Sequence, residues 1–306
     1  MIMKNFTNSS LPSLRVQIGD ICCSLLCSDQ EVLKNLQQQY SNFLSDKPAD
    51  ISIELHLIEK LSTAEINAAL PQMRIRAKGN QFKATNLTFK GKYDFDKHLF
   101  NLKLEKNFFA PDVGLKLMNR LFCLAYFTAC KAKYSEGPPA MLVHSCGILR
   151  RGKVLVFAGP CETGKTTIGR LCGDEYGRVL NDETLLFHRP GRNNGTLTVQ
   201  GVPIIGGIPQ RLNEAAPLSC VLMLKQSKRN AVRRLTPLEA YRRFMLQVIS
   251  PAYFGQKDER ARLSLIADFS SEVTAVTPVY ELEFSLDKDS LWKVLGELEL
   301  SLEKEK

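Results

Sequence analysis

Short runs of apolar side chains, several of them alternating with polar ones, predict β-strands in the first hundred residues. These runs are Leu14–Ile18, Ile21–Cys27, Ile51–Ile58, Gln81–Ala84 and Leu99–Leu104. After the second run, apolar residues recur at helical spacing, which predicts a helix from Ser28 or Asp29 through Phe43. The pattern indicates an α+β module, an antiparallel sheet with a helix.

A longer apolar pattern predicts one helix from Pro111 to about Tyr134, with Asp112 near its start. The turn Glu136–Pro139 ends it. We therefore place a domain boundary here, with an N-terminal α+β domain over residues 1–137 and a second domain over residues 138–306. The first domain shows no catalytic or metal-binding spacing of His, Cys and acidic residues, so its expected role is scaffolding, substrate presentation or dimerisation.

The second domain begins with two predicted strands, Met141–Leu149 and Lys153–Gly159. Only three residues join them, which predicts an antiparallel hairpin. Further helices are predicted from Thr236 to about Ile249, from Asp258 to Val273, and from Asp287 or Asp289 to Leu302. Thr236 and Glu239 have the spacing of a capping box, and we assign no chemistry to these helices.

The second hairpin strand leads into a phosphate-binding motif. Residues 159–166 read GPCETGKT and match G-x-x-x-x-G-K-[ST] without a mismatch. Such a loop points backbone N–H groups at phosphates in front of a helix start. The predicted nucleotide contacts are Gly159, Pro160, Cys161, Glu162, Thr163, Gly164, Lys165, Thr166 and Thr167. We expect Lys165 to lie exposed at the loop and reach the terminal phosphates, and the Thr166 hydroxyl to bind Mg²⁺.

Two adjacent carboxylates follow the loop helix. Asp182 and Glu183 lie between apolar runs in a predicted strand over residues 177–187. One carboxylate beside a phosphate loop can hold Mg²⁺, and a second can accept the proton of an attacking hydroxyl. The alternative is an ordinary acidic turn.

Composition indicates a soluble globular protein, with 44% hydrophobic and 24% charged residues. The nine cysteines lie mostly in apolar surroundings, as expected of reduced thiols in a cytoplasmic protein. The N-terminal residues lack the apolar segment of a signal peptide. The longest apolar run, Leu121–Cys130, is about half of the roughly 20 residues that span a bilayer.

The net charge of +9 raises the question of nucleic acid. Seven basic residues cluster without interleaved aromatic side chains or a nucleic-acid motif, so we expect no nucleic-acid partner and no membrane. The cluster consists of Lys225, Lys228, Arg229, Arg233, Arg234, Arg242 and Arg243. It is interpreted either as a solvated face or as a cleft for nucleotide and an acidic peptide or protein.

The second domain resembles the HPr serine kinase/phosphorylase-like proteins, whose nucleotide-binding fold is shared with phosphoenolpyruvate carboxykinase. The resemblance covers about residues 138–300. It is carried by His144, GPCETGKTT, VLNDETLLF, VQGVPIIGGIP ending at Pro209, APLSCVLMLKQ and the closing PVYELEF. The first domain is similar in outline to the small sheet domain of HPr-kinase-related proteins of peptide-modification gene clusters.

The resemblance implies an α/β fold whose mixed-sheet P-loop domain is of the phosphoenolpyruvate carboxykinase/HPr kinase type, preceded by the smaller α+β domain. It implies Asp182, Lys165 and His144 as catalytic residues, with Asp182 activating the acceptor hydroxyl. It makes Thr166 and an acidic residue of the Asp182–Glu183 pair the Mg²⁺ ligands. By itself His144 is more typical of a hydrogen-bonded strand histidine, and the resemblance makes the two interpretations about equal. Pro203, Gly206 and Gly207 match a substrate-side loop, with a simple turn as the alternative.

The chain departs from the family at three positions. Relatives usually carry serine and glycine in place of Cys161 and Glu162, and an aspartate in place of Glu183. Cys161 is either an oxidation-sensitive thiol or an inert packed one.

Two functional classes remain open. One is an ATP- and Mg²⁺-dependent kinase that phosphorylates a serine-type hydroxyl of a peptide, protein or small molecule. The other is a nucleotide-binding accessory protein of a peptide-modification system, with little or no kinase activity. A generic P-loop ATPase is disfavoured by the hairpin before the loop. A homo-oligomer is possible in each case.

Overall fold

The computed structural model describes residues 11–69, 75–78, 80–84, 89–110, 116–135, 137–189, 197–250 and 259–304. These residues divide into two compact units. The first contains the described residues up to Ser135, and the second contains those from Gly137 onward.

The first unit contains a sheet with helices. Within its described residues the strands are β1 (Ser13–Ile18), β2 (Ile21–Cys27), β3 (Ile51–Ile58), β4 (Ile75–Lys78), β5 (Gln81–Ala84), β6 (Phe89–Asp94) and β7 (Leu99–Glu105). The helices are α1 (Gln30–Gln39), α2 (Thr63–Ala69) and α3 (Lys116–Lys133). The strand order is β1-β2-β3-β7-β6-β5-β4.

This sheet is mixed, so the prediction of an antiparallel sheet was wrong. β3 runs parallel to both β2 and β7, whereas β1–β2, β6–β7, β5–β6 and β4–β5 pair antiparallel. Helix α1 crosses over between β2 and β3, and a crossover of that length returns the chain parallel to the strand it left. Tight turns, by contrast, give antiparallel neighbours.

Helix α1 begins where the sequence predicts. Asp29 is its N-cap and accepts from the N–H groups of Glu31 and Val32, each at 3.1 Å. The helix ends at Gln39, earlier than expected, and a 3₁₀ turn over Ser41–Phe43 follows. Of the predicted helix from Pro111 to Tyr134, residues 111–115 lie outside the described residues, and α3 covers Lys116–Lys133.

The second unit contains the phosphate motif. Within its described residues the strands are β8 (Ala140–Val143), β9 (Ser145–Arg150), β10 (Lys153–Ala158), β11 (Arg178–Asn181), β12 (Leu185–His188), β13 (Thr198–Gly201), β14 (Ala215–Gln226), β15 (Ala231–Arg234) and β16 (Val279–Phe284). The helices are α4 (Lys165–Leu171), α5 (Pro237–Met245), α6 (Glu259–Val276) and α7 (Lys288–Lys304).

The strands of this unit form one mixed sheet. Its path is β11-β9-β10-β14-β13-β12-β8, with β16 paired to β14 and β15 paired to β16. β14 runs parallel to β10 on one side and to β16 on the other. β9 pairs antiparallel with β10, from Lys153 opposite Arg150 to Ala158 opposite Ser145, so the predicted hairpin precedes the phosphate motif.

The predicted strand Met141–Leu149 is not continuous. It breaks at His144 into β8 and β9, and β8 pairs with β12 instead of β10. The N–H of His144 donates to the carbonyl of Gln247 at 2.8 Å. The chain thus changes partners at His144, which lies between two strands and not within one.

Helix α5 is shorter than predicted. It ends at Met245, and the next residues run along the edge strand β8. Val248 bridges to Val143, and the N–H of Ile249 donates to the carbonyl of Leu142 at 2.8 Å. The apolar spacing that suggests a longer helix instead places Val248 against a strand. Helices α6 and α7 lie near their predicted positions, at Glu259–Val276 and Lys288–Lys304.

Buried side chains of the sheet and of α4 and α7 form the core behind the phosphate motif. Phe157, Ile168, Phe284 and Trp292 are at most 3% exposed. The indole N–H of Trp292 donates to the carbonyl of Leu171 at 2.9 Å, which fixes the end of α4 against α7. The loop therefore connects a buried strand to a helix held at its far end.

Candidate functional site

The phosphate motif forms a tight turn between β10 and α4. Within it Glu162 has a φ of 65° and Gly164 a φ of 105°, both in the left-handed region. A Cβ on Gly164 would overlap the ring of Phe284. Glycine is therefore required at 164 by both backbone conformation and space, whereas Glu162 adopts its conformation despite its side chain.

Lys165 is buried and not exposed, contrary to our expectation. Its side chain is 6% exposed, and Nζ donates to the carbonyls of Gly159 at 2.7 Å and Pro160 at 2.8 Å. Burial lowers the pKa of Lys165, and the charges of Cys161 and Glu183 act in the opposite direction. The ammonium thus lies at the start of the loop.

Asp182 lies beside Thr166, across a glycine. The acidic pair falls in a bend between β11 and β12, not on a continuous strand as predicted. Asp182 is 1% exposed, and its carboxylate accepts from the N–H groups of Gly207 at 3.1 Å and Ile208 at 3.3 Å. A Cβ on Gly207 would lie 2.8 Å from Thr166 Cγ2 and 3.4 Å from Asp182 Oδ2. The structure thus brings Thr166 and Asp182, two of the three predicted metal ligands, to the same glycine.

Asn181 organises this turn, and sequence reasoning missed it. It is fully buried, and its Nδ2 donates to the carbonyls of Val202 at 2.9 Å and Ile204 at 2.7 Å. Its Oδ1 accepts from the N–H groups of Glu183 at 2.7 Å and Thr184 at 3.1 Å. An amide directly before two acids in an apolar run was the available signal, because a buried amide needs several partners.

Four side chains form hydrogen bonds with the backbone of residues 202–208, the segment that contains the predicted substrate-side glycines. Besides Asn181 and Asp182, Arg211 Nη1 donates to the carbonyl of Pro203 at 2.9 Å. Arg170 Nη2 on α4 donates to the carbonyl of Gly207 at 3.3 Å. The backbone here is fixed against the acidic turn and the loop helix.

Glu183 and His144 form the accessible part of the site. The side chain of Glu183 is 42% exposed and that of His144 is 25% exposed. His144 Nδ1 lies 2.7 Å from the carbonyl of Glu183 and 3.6 Å from its Oε1. A carbonyl oxygen can only accept, so Nδ1 carries the proton in this bond. The second ring nitrogen, Nε2, is then left for another partner.

The residues predicted to bind metal are compatible with Mg²⁺ only if substrate phosphate and water complete the coordination. Among the described residues, no group of three or more His, Cys, Asp and Glu side chains could hold a metal ion. Mg²⁺ is commonly held by one or two carboxylates together with substrate phosphates and water. Asp182, with the hydroxyl of Thr166 nearby, fits that pattern and requires phosphate to complete it.

The cysteines divide by exposure. All nine, which lie within the described residues, are free thiols, and of these Cys161 alone is exposed while Cys123 is half-buried. Burial raises the pKa of Cys172 to about 11, and it also raises that of Cys146. Because Cys161 is exposed, it is not an inert thiol packed in the core, which was one of the two interpretations of this residue.

The basic cluster is largely ion-paired within the sheet. Lys225 and Arg229 contact Glu283 at 2.8 and 2.9 Å. Arg243 contacts Glu281 at 2.6 Å, and Arg233 contacts it at 3.7 Å. β16 supplies both glutamates between β14 and β15, which explains why basic residues of separate segments meet.

Comparisons with known proteins give limited information. No protein-family model matches the chain, and no curated protein matches it. Among the solved structures that match is the Hpr(Ser) kinase/phosphatase from Coxiella burnetii, at 10% identity and a TM-score of 0.31. The match covers 53% of this chain and 98% of that one. A likeness at this level assigns neither family nor activity, so the functional conclusion depends on the residues of the site.

Within the described residues, no helix is both long and apolar enough to cross a membrane.

Proposed function

We propose that the chain is an ATP- and Mg²⁺-dependent kinase that transfers a phosphoryl group to a serine-type hydroxyl. The observation that carries this proposal is the meeting of three features in one unit: the phosphate loop with Lys165, the Thr166–Asp182 pair across Gly207, and an accessible Glu183–His144 pair. Phosphoryl transfer requires positioning and charge neutralisation more than covalent chemistry, and these features supply both.

The proposed roles differ by burial. Lys165 neutralises the terminal phosphates, and Thr166 and Asp182 hold the metal. Because Asp182 is 1% exposed and both its oxygens accept backbone N–H groups, we assign the proton acceptor to Glu183, which is 42% exposed. Sequence reasoning had given that role to Asp182. His144 holds the backbone of Glu183 through its 2.7 Å bond to the Glu183 carbonyl.

In the proposed reaction the acceptor oxygen bonds to the γ-phosphorus while the bond from that phosphorus to the bridging oxygen breaks. ADP leaves with the electron pair of that bond. The hydroxyl proton passes to the Glu183 carboxylate. A Mg²⁺ ion held by Thr166 and Asp182 would supply positive charge that stabilises the transferring phosphoryl group.

An accessory nucleotide-binding role is the second candidate, and one observation favours it. Glu162 places a carboxylate within the phosphate loop, at a position whose left-handed backbone glycine would adopt more readily. A loop with an added negative charge binds phosphate less tightly, which suits a protein that holds nucleotide without turnover.

The first test replaces Lys165 by methionine, which keeps the length of the buried stem and removes the charge. Mg-ATP at about 100 times its Kd stabilises a binding protein by about 2.7 kcal/mol, and this stabilisation should be lost in Lys165→Met. The measurement is the Tm with and without Mg-ATP. Lys153→Met, at the end of β10 that lies away from the loop, is the matched control and should keep the shift. An unchanged shift in Lys165→Met would exclude the loop as the nucleotide site.

The second test separates the two carboxylates. Glu183→Gln should lower transfer from labelled ATP at least 10²-fold, the usual cost of a lost general base, while nucleotide binding persists. Asp182→Asn should instead raise the Mg²⁺ concentration needed for binding. Transfer that depends on Asp182 but not on Glu183 would reverse the assignment. Wild-type protein that binds ATP and phosphorylates nothing would favour the accessory role.

A further inference from the structure

Four lysines lie together on the open side of the sheet in the first unit. The backbone register places Lys83 of β5 opposite Lys90 of β6, and Lys90 opposite Lys103 of β7. Lys92 follows Lys90 by two residues on β6, so its side chain lies on the same side of the sheet. We call these four residues the lysine face, and all four are exposed. The register also places Arg76 of β4 opposite Lys83.

The other side of the same strands belongs to the core. Phe89 and Tyr93 on β6, and Leu102 and Leu104 on β7, are at most 1% exposed. Buried residues alternate with the lysines along these strands, as in an antiparallel sheet with one covered and one open side. The buried side therefore fixes where the lysines lie, because a shift by one residue would bury them.

Lysines that are directly opposite on neighbouring strands repel one another. The Cα atoms of paired residues are about 4.5–5.5 Å apart, and charges are screened only beyond about 8 Å at physiological salt. Like charges in this arrangement destabilise a sheet. Within the described part of the chain, none of the four ammonium groups has a hydrogen bond or an ion pair. Lys90 thus has a like charge on each side, and a bound anion would relieve the repulsion.

Three carboxylates lie on the same side of these strands, and each is engaged elsewhere. Glu54 on β3 contacts His56 at 3.4 Å. Asp94, the last residue of β6, accepts two backbone N–H groups of the following turn at 3.1 Å each. Glu105, the last residue of β7, is buried and accepts the N–H of Lys60 at 2.9 Å. They lie around the four lysines and not between them, so the centre of this surface is positively charged.

The residues of this surface favour an acidic polypeptide over other polyanions. Gln81 and Asn101 are in register with Lys92, and like the lysines they offer no aromatic ring for stacking bases. They also offer no apolar group that would enter a lipid layer. Lys90 and Lys92 are separated by about 6.6–6.8 Å along the strand, which is also the separation of alternate side chains in an extended polypeptide.

We propose that the lysine face binds an extended polypeptide segment in which alternate side chains are acidic. Carboxylates two residues apart in the segment pair with Lys90 and Lys92, and neighbouring carboxylates reach Lys83 and Lys103 on the flanking strands. The site lies in the first unit and does not depend on the kinase function proposed for the second. It gives the first unit a partner-binding role, which sequence motifs did not reveal.

The main experiment measures the binding of labelled peptides to the full chain by fluorescence anisotropy. In three peptides of equal length, serine alternates with glutamate, glutamine or lysine. The glutamate peptide should bind at least tenfold more tightly than the other two. The face variant, which combines Lys90→Gln, Lys92→Gln and Lys103→Gln, should raise its Kd at least tenfold. Retention of the wild-type Kd in the face variant would overturn the proposal.

A charge-matched variant separates a defined site from general attraction. It combines Lys34→Gln, Lys47→Gln and Lys293→Gln, and so removes the same charge from exposed lysines that lie outside the lysine face. This control variant should bind the glutamate peptide within about twofold of wild type. Equal weakening in the two triple variants would reduce the effect to net charge and overturn the site.

A second measurement needs no ligand and tests the repulsion itself. Because Lys90 has a like charge on each side, Lys90→Gln should raise the Tm at low salt. The rise should shrink at about 1 M salt, where the screening length falls to about 3 Å. Lys34→Gln on α1 is the control and should leave the Tm unchanged, since lysine and glutamine have similar helix propensities. A Tm that Lys90→Gln lowers or leaves unchanged at low salt would contradict the argument.

The same assay distinguishes the class of partner and the location of the site. Binding of labelled oligothymidine, or of vesicles with equal parts of phosphatidylserine and phosphatidylcholine, but not of the glutamate peptide would overturn the polypeptide class. Lys165→Met should bind the glutamate peptide as wild type does, because Lys165 belongs to the phosphate loop of the second unit. Loss of peptide binding in Lys165→Met would place the peptide at that loop and overturn the assignment to the lysine face.

Discussion

Two glycines determine how closely the backbone approaches Asp182. The N–H of Gly207 bonds to its carboxylate, and a Cβ on Gly206 would overlap Asp182 Oδ1. Neither residue has a φ in the left-handed region, so space and not backbone conformation requires glycine here. A side chain on either glycine would collide with the proposed metal ligands. The spacing of those ligands therefore depends on glycine at both positions.

Gly206→Ala should therefore push residues 206–208 away from Asp182 and weaken Mg²⁺-dependent nucleotide binding at least tenfold. Binding measured by calorimetry at several Mg²⁺ concentrations tests this. Gly296→Ala is the matched control, because a Cβ at Gly296 in α7 meets nothing within 4 Å. That change should leave binding unaltered and stabilise the fold by about 0.5–1 kcal/mol through helix propensity. Unaltered binding in Gly206→Ala would show that this segment does not support the metal ligands.

At the level of elements, the start of α5 connects helix capping with the ion-pair network. Thr236 Oγ1 accepts from the N–H of Glu239, and Glu239 Oε2 accepts from the N–H of Thr236 at 2.9 Å. Arg233 on β15 adds two bonds to the same carboxylate at 3.3 Å. The backbone N–H of Thr236 first, then Arg233 and the Thr236 hydroxyl, lower the pKa of Glu239 to about 2.

This lowered pKa predicts a specific acid sensitivity. Because the pKa is lower in the folded than in the unfolded chain, Glu239 stabilises the fold above the ordinary value of 4.5 and loses this effect as the pH falls towards about 2. Glu239→Gln should be less stable than wild type at neutral pH, and the difference should shrink between those values. Urea unfolding at several pH values measures it. A difference that is constant down to pH 3 would contradict the capping and ion-pair account.

Arg233→Gln provides the companion variant for this element. It removes one of the causes that lower the Glu239 pKa, so the pKa of Glu239 in the folded chain should rise. The lower limit of the pH range in which stability is lost should therefore rise as well, and the range should become narrower. A pH range that does not change would show that Thr236 alone lowers the Glu239 pKa.

At the scale of the whole molecule, we expect no nucleic-acid site despite the net charge of +9. Lys225, Arg229, Arg233 and Arg243 are engaged by glutamates of β16 and α5. We expect labelled single-stranded and duplex oligonucleotides to bind weakly at about 50 mM salt and to dissociate by about 150 mM, as for non-specific charge attraction. Fluorescence anisotropy measures this. Saturable binding at the higher salt that Lys228→Gln and Arg229→Gln remove would indicate a nucleic-acid site.

The phosphate loop and the helix starts could be predicted because their determinants are local. The left-handed turn at Gly164, the N-cap at Asp29 and the capping box at Thr236 each involve residues at most a few positions apart. The hairpin of β9 and β10 also follows from a short turn, in which Arg151 and Gly152 both have positive φ. Local hydrogen bonds and turn geometry depend little on the remaining chain, so the sequence by itself determined them.

The partners of these local elements were decided by tertiary structure alone. Asn181 reaches the carbonyls of Val202 and Ile204, and Asp182 reaches the N–H groups beyond Gly206. Val248 leaves a helical pattern because an edge strand offers it backbone partners. The burial of Asp182, and with it the exchange of proposed roles between the two carboxylates, follows from contacts with a distant segment. Such contacts leave no periodic signal in the sequence, because the energy of burial depends on which segments meet and not on their order along the chain.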